Sequence, residues 1–326
     1  MKLGSLKSKH DADGELVVVS QDLKWVTRAT HICPSLRLAI ENWKQVGSSL
    51  RNLYQKLNSG MDERFPYHER DFHSALPRTW LFADGSAYVH HIKLVRMARK
   101  APLPETLMTV PLMYQGECGK FLAPSEDILQ RDFSHGTDFE GEVGVITDFV
   151  PMGTTPDEAL KKIRLFVLIN DISLRGLIPE ELAQGFGFFQ SKPASALSPF
   201  AVTPDEIGPA LKEGRVHLPL HVNFNGQFFG KANAGAMHFN FGQLIAHAAK
   251  TRDLVAATLI GSGTVSNEDA TQGSSCLAEK RTIEQLADGQ IKTPFMKEND
   301  TIEIWMDDQQ GKNIFGRISQ KVVKAK

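Results

Sequence analysis

The chain has 326 residues, 41% of them hydrophobic and 23% charged, and its 37 Lys and Arg against 38 Asp and Glu leave a net charge of −1. That balance gives no electrostatic footprint for nucleic acid or an anionic membrane, and no apolar run reaches the roughly 18 residues of a spanning helix. The length exceeds what one core usually accommodates, so a large domain with a smaller companion is expected.

In chain order, residues 16–20 read as a short strand. Leu36, Ile40, Trp43, Val46, Leu50, Leu53 and Leu57 then recur in steps of three or four, which predicts one helical face over residues 35–57. Gly60 and Pro66 break the pattern and residues 58–75 read as a polar loop. A small N-terminal domain is therefore drawn at residues 1–75 and a second domain at 76–326. Beyond that line the texture is of short strands separated by turns. Asn225-Gly226 between apolar runs predicts a type I′ hairpin within residues 216–229, and residues 301–305 alternate before a turn at Gly311. A capping signature at Thr155, Pro156 and Glu158 starts one helix, and residues 241–251 form another. The architecture expected is α+β and strand-rich. Cys33, Cys118 and Cys276 lie far apart, which suggests no disulfide framework, and residues 1–7 lack a signal-peptide run, so a reducing cytoplasmic setting is expected.

Chemistry-bearing residues gather at a few places. Glu140 and Glu142 precede Val143, Val145 and Ile146 in a strand candidate, where positions i and i+2 share a face. Two such carboxylates repel unless a divalent cation neutralises them, though an isolated pair also serves as a solvated edge. An apolar run over residues 165–169 ends in Asn170 and Asp171, with Arg175 soon after. A buried strand can deliver a carboxylate in this way; the same Asn-Asp is also an ordinary turn starter. Glu140, Glu142 and Asp171 together supply hard oxygen ligands that suit Mg²⁺, Mn²⁺ or Ca²⁺ and leave positions for substrate and water. Asp84, Ser86, His90 and His91 form another tract, in which a histidine near a carboxylate is either a general base or structural. Gly261, Gly263 and Thr264, followed by Gly273 and Glu279, can bring backbone NH groups to an anion or form a plain turn; GK[ST] is absent, so this is no P-loop. Lys192, alone, reads as a surface lysine.

Taken in order, Asp84 to His91, Tyr114, Glu140-Gly141-Glu142, Asn170-Asp171 with Arg175, Lys192, Gly263-Thr264 and Glu279 resemble the fumarylacetoacetate hydrolase family over residues 78–325. The first 75 residues are similar to the extra N-terminal domain of two-domain bacterial members. The resemblance implies a mixed β-sandwich-like roll, usually a homodimer, with Mg²⁺ or Ca²⁺ on Glu140, Glu142 and Asp171 and with Asp84 as a further ligand. It implies His91 as the catalytic base, with His90 second to it, oriented by Glu279. Arg175 and Lys192 would stabilise an oxyanion, and Tyr114, Thr264 and Ser86 would contact substrate. Ile178 stands where the family often has Gln, Ser86 where animal enzymes have an aromatic residue, and Pro193-Ala194-Ser195 where a Gly-Thr pattern is frequent. The activity implied is hydrolysis of a carbon–carbon bond in a β-diketo acid, with 4-fumarylacetoacetate of aromatic amino-acid catabolism foremost. Acylpyruvate hydrolysis and 2-oxo acid hydration, isomerisation or decarboxylation use the same scaffold, and a non-catalytic metal-stabilised acid-binding protein is the reading outside enzymes.

Overall fold

The structure, a computed structural model, describes residues 1–61, 63–98 and 102–326. The N-terminal part holds β1 (Lys2–Leu6), β2 (Glu15–Val19), β3 (Trp25–Arg28), α1 (Leu36–Glu41), α2 (Trp43–Ser59) and β4 (Phe65–Pro66). The remainder begins with β5 (Phe82–Gly85), α3 (Val89–Ala98), β6 (Met113–Gly116), β7 (Ile128–Gln130), β8 (Thr137–Asp138), β9 (Gly141–Thr147) and α4 (Pro156–Leu160). It continues through β10 (Ile163–Asn170), β11 (Ser173–Leu174), α5 (Ile178–Ala183), β12 (Ala196–Leu197), β13 (Phe200–Val202) and α6 (Pro204–Ile207). The last elements are β14 (Leu211–Lys212), β15 (Arg215–Val216), β16 (Pro219–Phe224), β17 (Gln227–Asn233), α7 (Phe241–Ala248), β18 (Leu259–Gly261), α8 (Leu277–Asp288), β19 (Thr301–Asp307) and β20 (Asn313–Lys324).

These elements make the strand-rich α+β architecture that the sequence implies. Among the described residues the largest sheet runs β4-β3-β2-β1-β13-β10-β9-β18-β5-β6, with β12 also on β10. A second sheet runs β17-β16-β19-β20-β7. Both are mixed, because β18 pairs with β5 and β20 with β7 in parallel. The N-terminal strands extend the same sheet, since β1 lies antiparallel to β13 with Leu3 opposite Ala201.

The near-continuous apolar run of β10 follows from its burial on both faces. Phe166 and Leu168 pack in one cluster with Leu220 of β16 and Ile304 of β19, and Leu165, Val167 and Ile169 pack in another with Leu36, Ile40, Leu50 and Leu53 of the N-terminal helices. The predicted hairpin turn has both central residues left-handed, Asn225 at φ 52° and Gly226 at φ 72°, as a I′ turn requires. Thr155 and Glu158 cap α4 reciprocally.

The predicted helix over 35–57 is two helices, not one. Asn42 leaves helical geometry at φ −112° and ψ 26°, ending α1 and starting α2. Its side-chain amide donates to the Leu38 carbonyl, a local bond that competes with the helical ladder. Residues 58–75 are not wholly loop either, since β4 pairs with β3 and Phe72 is 1% exposed. No helix among the described residues is long and apolar enough to cross a membrane.

Candidate active site

The ends of three strands bring four acidic side chains together. Asp84 lies on β5, opposite Tyr114 of β6 and beside Gly261 of β18. Glu142 lies on β9, opposite Ile169 of β10. Glu140 and Asp171 sit just outside those two strands, where the Asp171 amide donates to the Glu140 carbonyl at 2.9 Å and the Glu140 amide donates to Asn170 Oδ1 at 3.2 Å. The Asn-Asp pair therefore fixes both carboxylates rather than merely opening a turn.

Asp84, Glu142 and Asp171 are buried, and one oxygen from each lies within 4.8 Å of the others. Both carboxylate oxygens of Glu142 are buried with no hydrogen-bond partner among the described residues. Burial pushes the Asp84 carboxyl well above its ordinary range, with the neighbouring Asp171 adding to the shift. Glu142 is raised in the same way by burial and then by Asp84 and Asp171. A Cβ on Gly261 would stand 2.2 Å from Asp84 Oδ1 and 3.1 Å from Glu142 Oε2, so glycine keeps this space open. Three crowded carboxylates, one of them with no donor on either oxygen, beside a space no side chain enters, fit a hard divalent cation.

Glu140 stands differently. Its Oε1 accepts from Arg175 Nη2 at 2.7 Å and from Thr264 Oγ1 at 2.8 Å; its Oε2 accepts from Lys192 Nζ at 2.7 Å and Ser173 Oγ at 3.2 Å. Burial alone would raise its pKa, but Arg175 and Lys192 overcome that and hold the carboxyl well below its usual range. Lys192 also donates to Asp171 Oδ2 at 2.5 Å and Ser173 Oγ at 2.8 Å. It therefore bridges Glu140 to the oxygen trio. Burial opposes its charge, yet Asp171 and Glu140 outweigh this and raise its pKa above the ordinary lysine value. Lys192 is 8% exposed, so it is no surface lysine. Asp171 also accepts from Tyr114 Oη and Ser195 Oγ, each at 2.6 Å.

The acid–base pair comes from two packed helices. His91, in the first turn of α3, sets Nδ1 2.9 Å from Glu279 Oε2 in the first turn of α8. A carboxylate can only accept, so Nδ1 donates and the neutral ring keeps its lone pair on Nε2. His91 also groups with Glu140 and the buried thiol of Cys276, each offering an atom within 4.8 Å of the others. His90 points elsewhere, lining a separate surface hollow with Lys93 and His217. Adjacent helical residues project about 100° apart, and this separates the two histidines.

Asp84, Ser86, His91, Tyr114, Glu140, Glu142, Arg175, Lys192 and Thr264 all line one cavity of about 300 Å³; Asp171 and Glu279 reach it through Lys192 and His91. The rest of its wall is largely apolar, from Ile92, Val95, Leu112, Ile178, Leu182 and Phe188, with Arg96 the further charged residue lining it. Sequence reasoning missed this wall, together with Ser173, Ser195 and Asp138. The Asp138-x-Glu140-x-Glu142 alternation was the signal for the last of these.

An acidic pocket with a helix-borne His–Glu pair, built where strands end, defines a metal-fitted enzyme class. The family described as fumarylacetoacetate hydrolase C-terminal matches residues 81–323, and fumarylacetoacetase N-terminal domain 2 matches residues 1–78. The chain belongs to the fumarylacetoacetate hydrolase family. It is 30% identical over 167 residues to 2,4-didehydro-3-deoxy-L-rhamnonate hydrolase of Sphingomonas sp. (strain SKA58), covering 50% of this chain and 54% of that protein. The match thus spans about half the length of this curated relative. Among solved structures it is similar to maleylpyruvate hydrolase from Sphingobium sp. SYK-6 in complex with manganese(II) and pyruvate, at a TM-score of 0.66 and 14% identity over 100% of both chains. It is also similar to 5-carboxymethyl-2-hydroxymuconate delta-isomerase from Mycobacterium smegmatis, at a TM-score of 0.63 and 16% identity over 100% of both chains.

Proposed function

We propose that this chain is a divalent-metal-dependent hydrolase that cleaves a carbon–carbon bond in a β-diketo acid, with 4-fumarylacetoacetate the first candidate substrate. The observation carrying this reading is the convergence of the Asp84, Glu142 and Asp171 oxygens at a cavity that Asp84, Glu142 and His91 line, with His91 hydrogen-bonded to Glu279 behind it. Asp84, Glu142 and Asp171 would hold Mg²⁺, Ca²⁺ or Mn²⁺, with Glu140 as a further ligand. A cation held there supplies Lewis-acid polarisation of the substrate carbonyls.

The residues divide the remaining work. His91 Nε2 takes a proton from water, whose oxygen bonds to one carbonyl carbon; Glu279, bonded to Nδ1, holds the ring in place. Arg175 turns Nη1, which bonds none of the described residues, toward the alkoxide that results, where a preorganised donor is typically worth about 2.7–4 kcal/mol. Lys192, its three donors engaged by Glu140, Asp171 and Ser173, adds its positive charge nearby. Collapse of the alkoxide breaks the carbon–carbon bond. The electron pair leaves as an enolate, which recovers the proton from His91. Two acids result, fumarate and acetoacetate for the first candidate. Tyr114, Thr264 and Ser86 would contact substrate beside the apolar wall. A homodimer is the assembly proposed.

A second reading follows from the 30% match to a hydrolase whose substrate name places carbonyls at carbons 2 and 4 of a sugar acid. Fumarylacetoacetate, acetylpyruvate, oxaloacetate and a 2,4-diketo sugar acid, assayed with and without Mg²⁺, Ca²⁺ and Mn²⁺, separate these readings. Metal-dependent release of two acids is expected. Turnover of none of them, with metal bound, would leave an acid-binding protein instead.

A further inference from the structure

We propose that Asp138 is a positioning residue that locks the oxyanion-facing guanidinium of Arg175 to the helix carrying Glu279. This rests on the functional reading above for what Arg175 does, but the geometry is independent of it. Asp138 lies on β8, opposite Ser173 of β11, and is fully buried. Its Oδ2 accepts from Arg175 Nε at 2.8 Å and from the Ala278 amide at 2.9 Å, while Oδ1 accepts from the Leu277 amide at 2.7 Å. Leu277 and Ala278 are the first two residues of α8, and Glu279 is the third. One carboxylate thus satisfies two of the orphan NH groups at the start of that helix and fixes one edge of the guanidinium.

The arrangement separates two jobs for Arg175. Nη2 is spent on Glu140 Oε1, a group next to the proposed cation. If Glu140 were the sole anchor, any shift of Glu140 toward the cation would carry the guanidinium with it. Asp138 takes no part in the oxygen trio, so its hold on Nε is independent of the cation. Nη1 makes no hydrogen bond to any of the described residues, and Arg175 lines the cavity, so one donor edge remains for substrate. The same carboxylate keeps the helix start, and with it Glu279 and His91, at a set distance from that edge. Misplacement of a donor by about 1 Å is enough to cost on the order of 100-fold in rate.

The test is a double-mutant cycle on the full chain with Mn²⁺. Asp138→Asn keeps one acceptor for the helix amides but turns a donor toward Arg175. It is expected to lower kcat about 10–100-fold with KM changed less than about threefold, because the alkoxide forms only during reaction. In an Arg175→Gln background the same change should cost little more, since the two act as a unit. Arg175→Lys is the second background should the first not fold, and melting temperatures accompany every variant. Losses that add in both backgrounds, or an unchanged kcat in Asp138→Asn, overturn the proposal; additive losses that track melting temperature assign Asp138 a structural role only. Mn²⁺-dependent affinity for oxalate, a stable enolate mimic, is measured through the same cycle. Should the wild type turn over none of the panel, the hydrolase reading fails, and non-additive oxalate binding still supports the link from Asp138 to Arg175 while additive binding overturns it.

Discussion

Gly261→Ala is the most discriminating perturbation of the oxygen trio, because it adds one methyl group and no charge. Gly261 has no left-handed backbone conformation, so alanine is not excluded by its φ. The obstacle is space. The new Cβ would stand 2.2 Å from Asp84 Oδ1, where ordinary contact begins at 3.4 Å, so the carboxylate must retreat by about 1 Å. Retreat also strains the bond that Asp84 Oδ1 accepts from the Gly263 amide at 3.2 Å. Cation–oxygen distances are 2.0–2.1 Å for Mg²⁺ and 2.3–2.6 Å for Ca²⁺, so roughly a 1 Å displacement removes a ligand. We expect Mn²⁺ affinity to fall at least 10–100-fold by calorimetric titration, the range typical of disturbing a metal site's support, at a cost of about 1–3 kcal/mol in stability. Wild-type Mn²⁺ affinity in a folded Gly261→Ala protein would refute the placement of the cation between Asp84 and Glu142.

Three further outcomes follow. His91→Ala should abolish turnover while Mn²⁺ binding and melting temperature stay near wild type; an unchanged kcat would remove His91 from its role. Lys192→Met takes a buried cation from between Glu140 and Asp171, and in metal-free protein should destabilise by about 3–5 kcal/mol, read by urea unfolding; an unmoved midpoint would mean the bridge is not formed. His73 accepts the Ser74 amide at Nδ1 over 2.8 Å, and burial depresses its pKa below 6.5, with Glu126 opposing and Lys7 and Lys120 assisting. Its contribution to stability is therefore complete above pH 6.5 and is lost as pH falls through the lower folded-state value. His73→Gln should flatten that part of the urea-midpoint profile, and an identical profile would exclude it.

Much of this was legible because it rests on period and punctuation. Val143, Val145 and Ile146 of β9 and the apolar run of β10 mark strands that are buried almost throughout. Asn225-Gly226 and Thr155-Glu158 carry backbone chemistry that does not depend on distant packing. The carboxylates were legible as a set because hard ligands recur at strand ends. What stayed hidden depends on contacts between remote segments. On its own Lys192 reads as a surface residue, and only the family resemblance gives it a role, because its acidic partners lie 21 and 52 positions away. The helix break at Asn42 was hidden because both helices keep an apolar step of three or four, and a single side-chain bond to Leu38 decides the geometry. The apolar wall was hidden because Ile92 and Val95 on α3 and Leu182 on α5 carry no chemical signature in the sequence and meet only when those helices come together at the cavity.

Charge balance explains why the two glutamates flanking Gly141 play different parts. Asp84, Asp138, Glu140, Glu142 and Asp171 are all buried in one region, against Arg175 and Lys192. Two cations cannot neutralise five carboxylates in a low-dielectric site, and the protein distributes them unevenly. Arg175 serves Asp138 and Glu140, and Lys192 serves Glu140 and Asp171. Glu140 collects both, and its carboxyl is held well below the usual range, while Asp84 and Glu142 collect neither at bonding distance and are pushed well above it. The deficit is therefore concentrated on the two side chains that flank the Gly261 gap. A divalent charge delivered there would relieve the pair that needs it and leave the Arg175–Glu140–Lys192 network intact to face the substrate. The same uneven sharing predicts the order of metal dependence: removing Glu142 should cost more cation affinity than removing Glu140. Comparing Glu142→Gln with Glu140→Gln by Mn²⁺ titration checks this, and the reverse order would show that the cation draws its main ligand from the other side of Gly141.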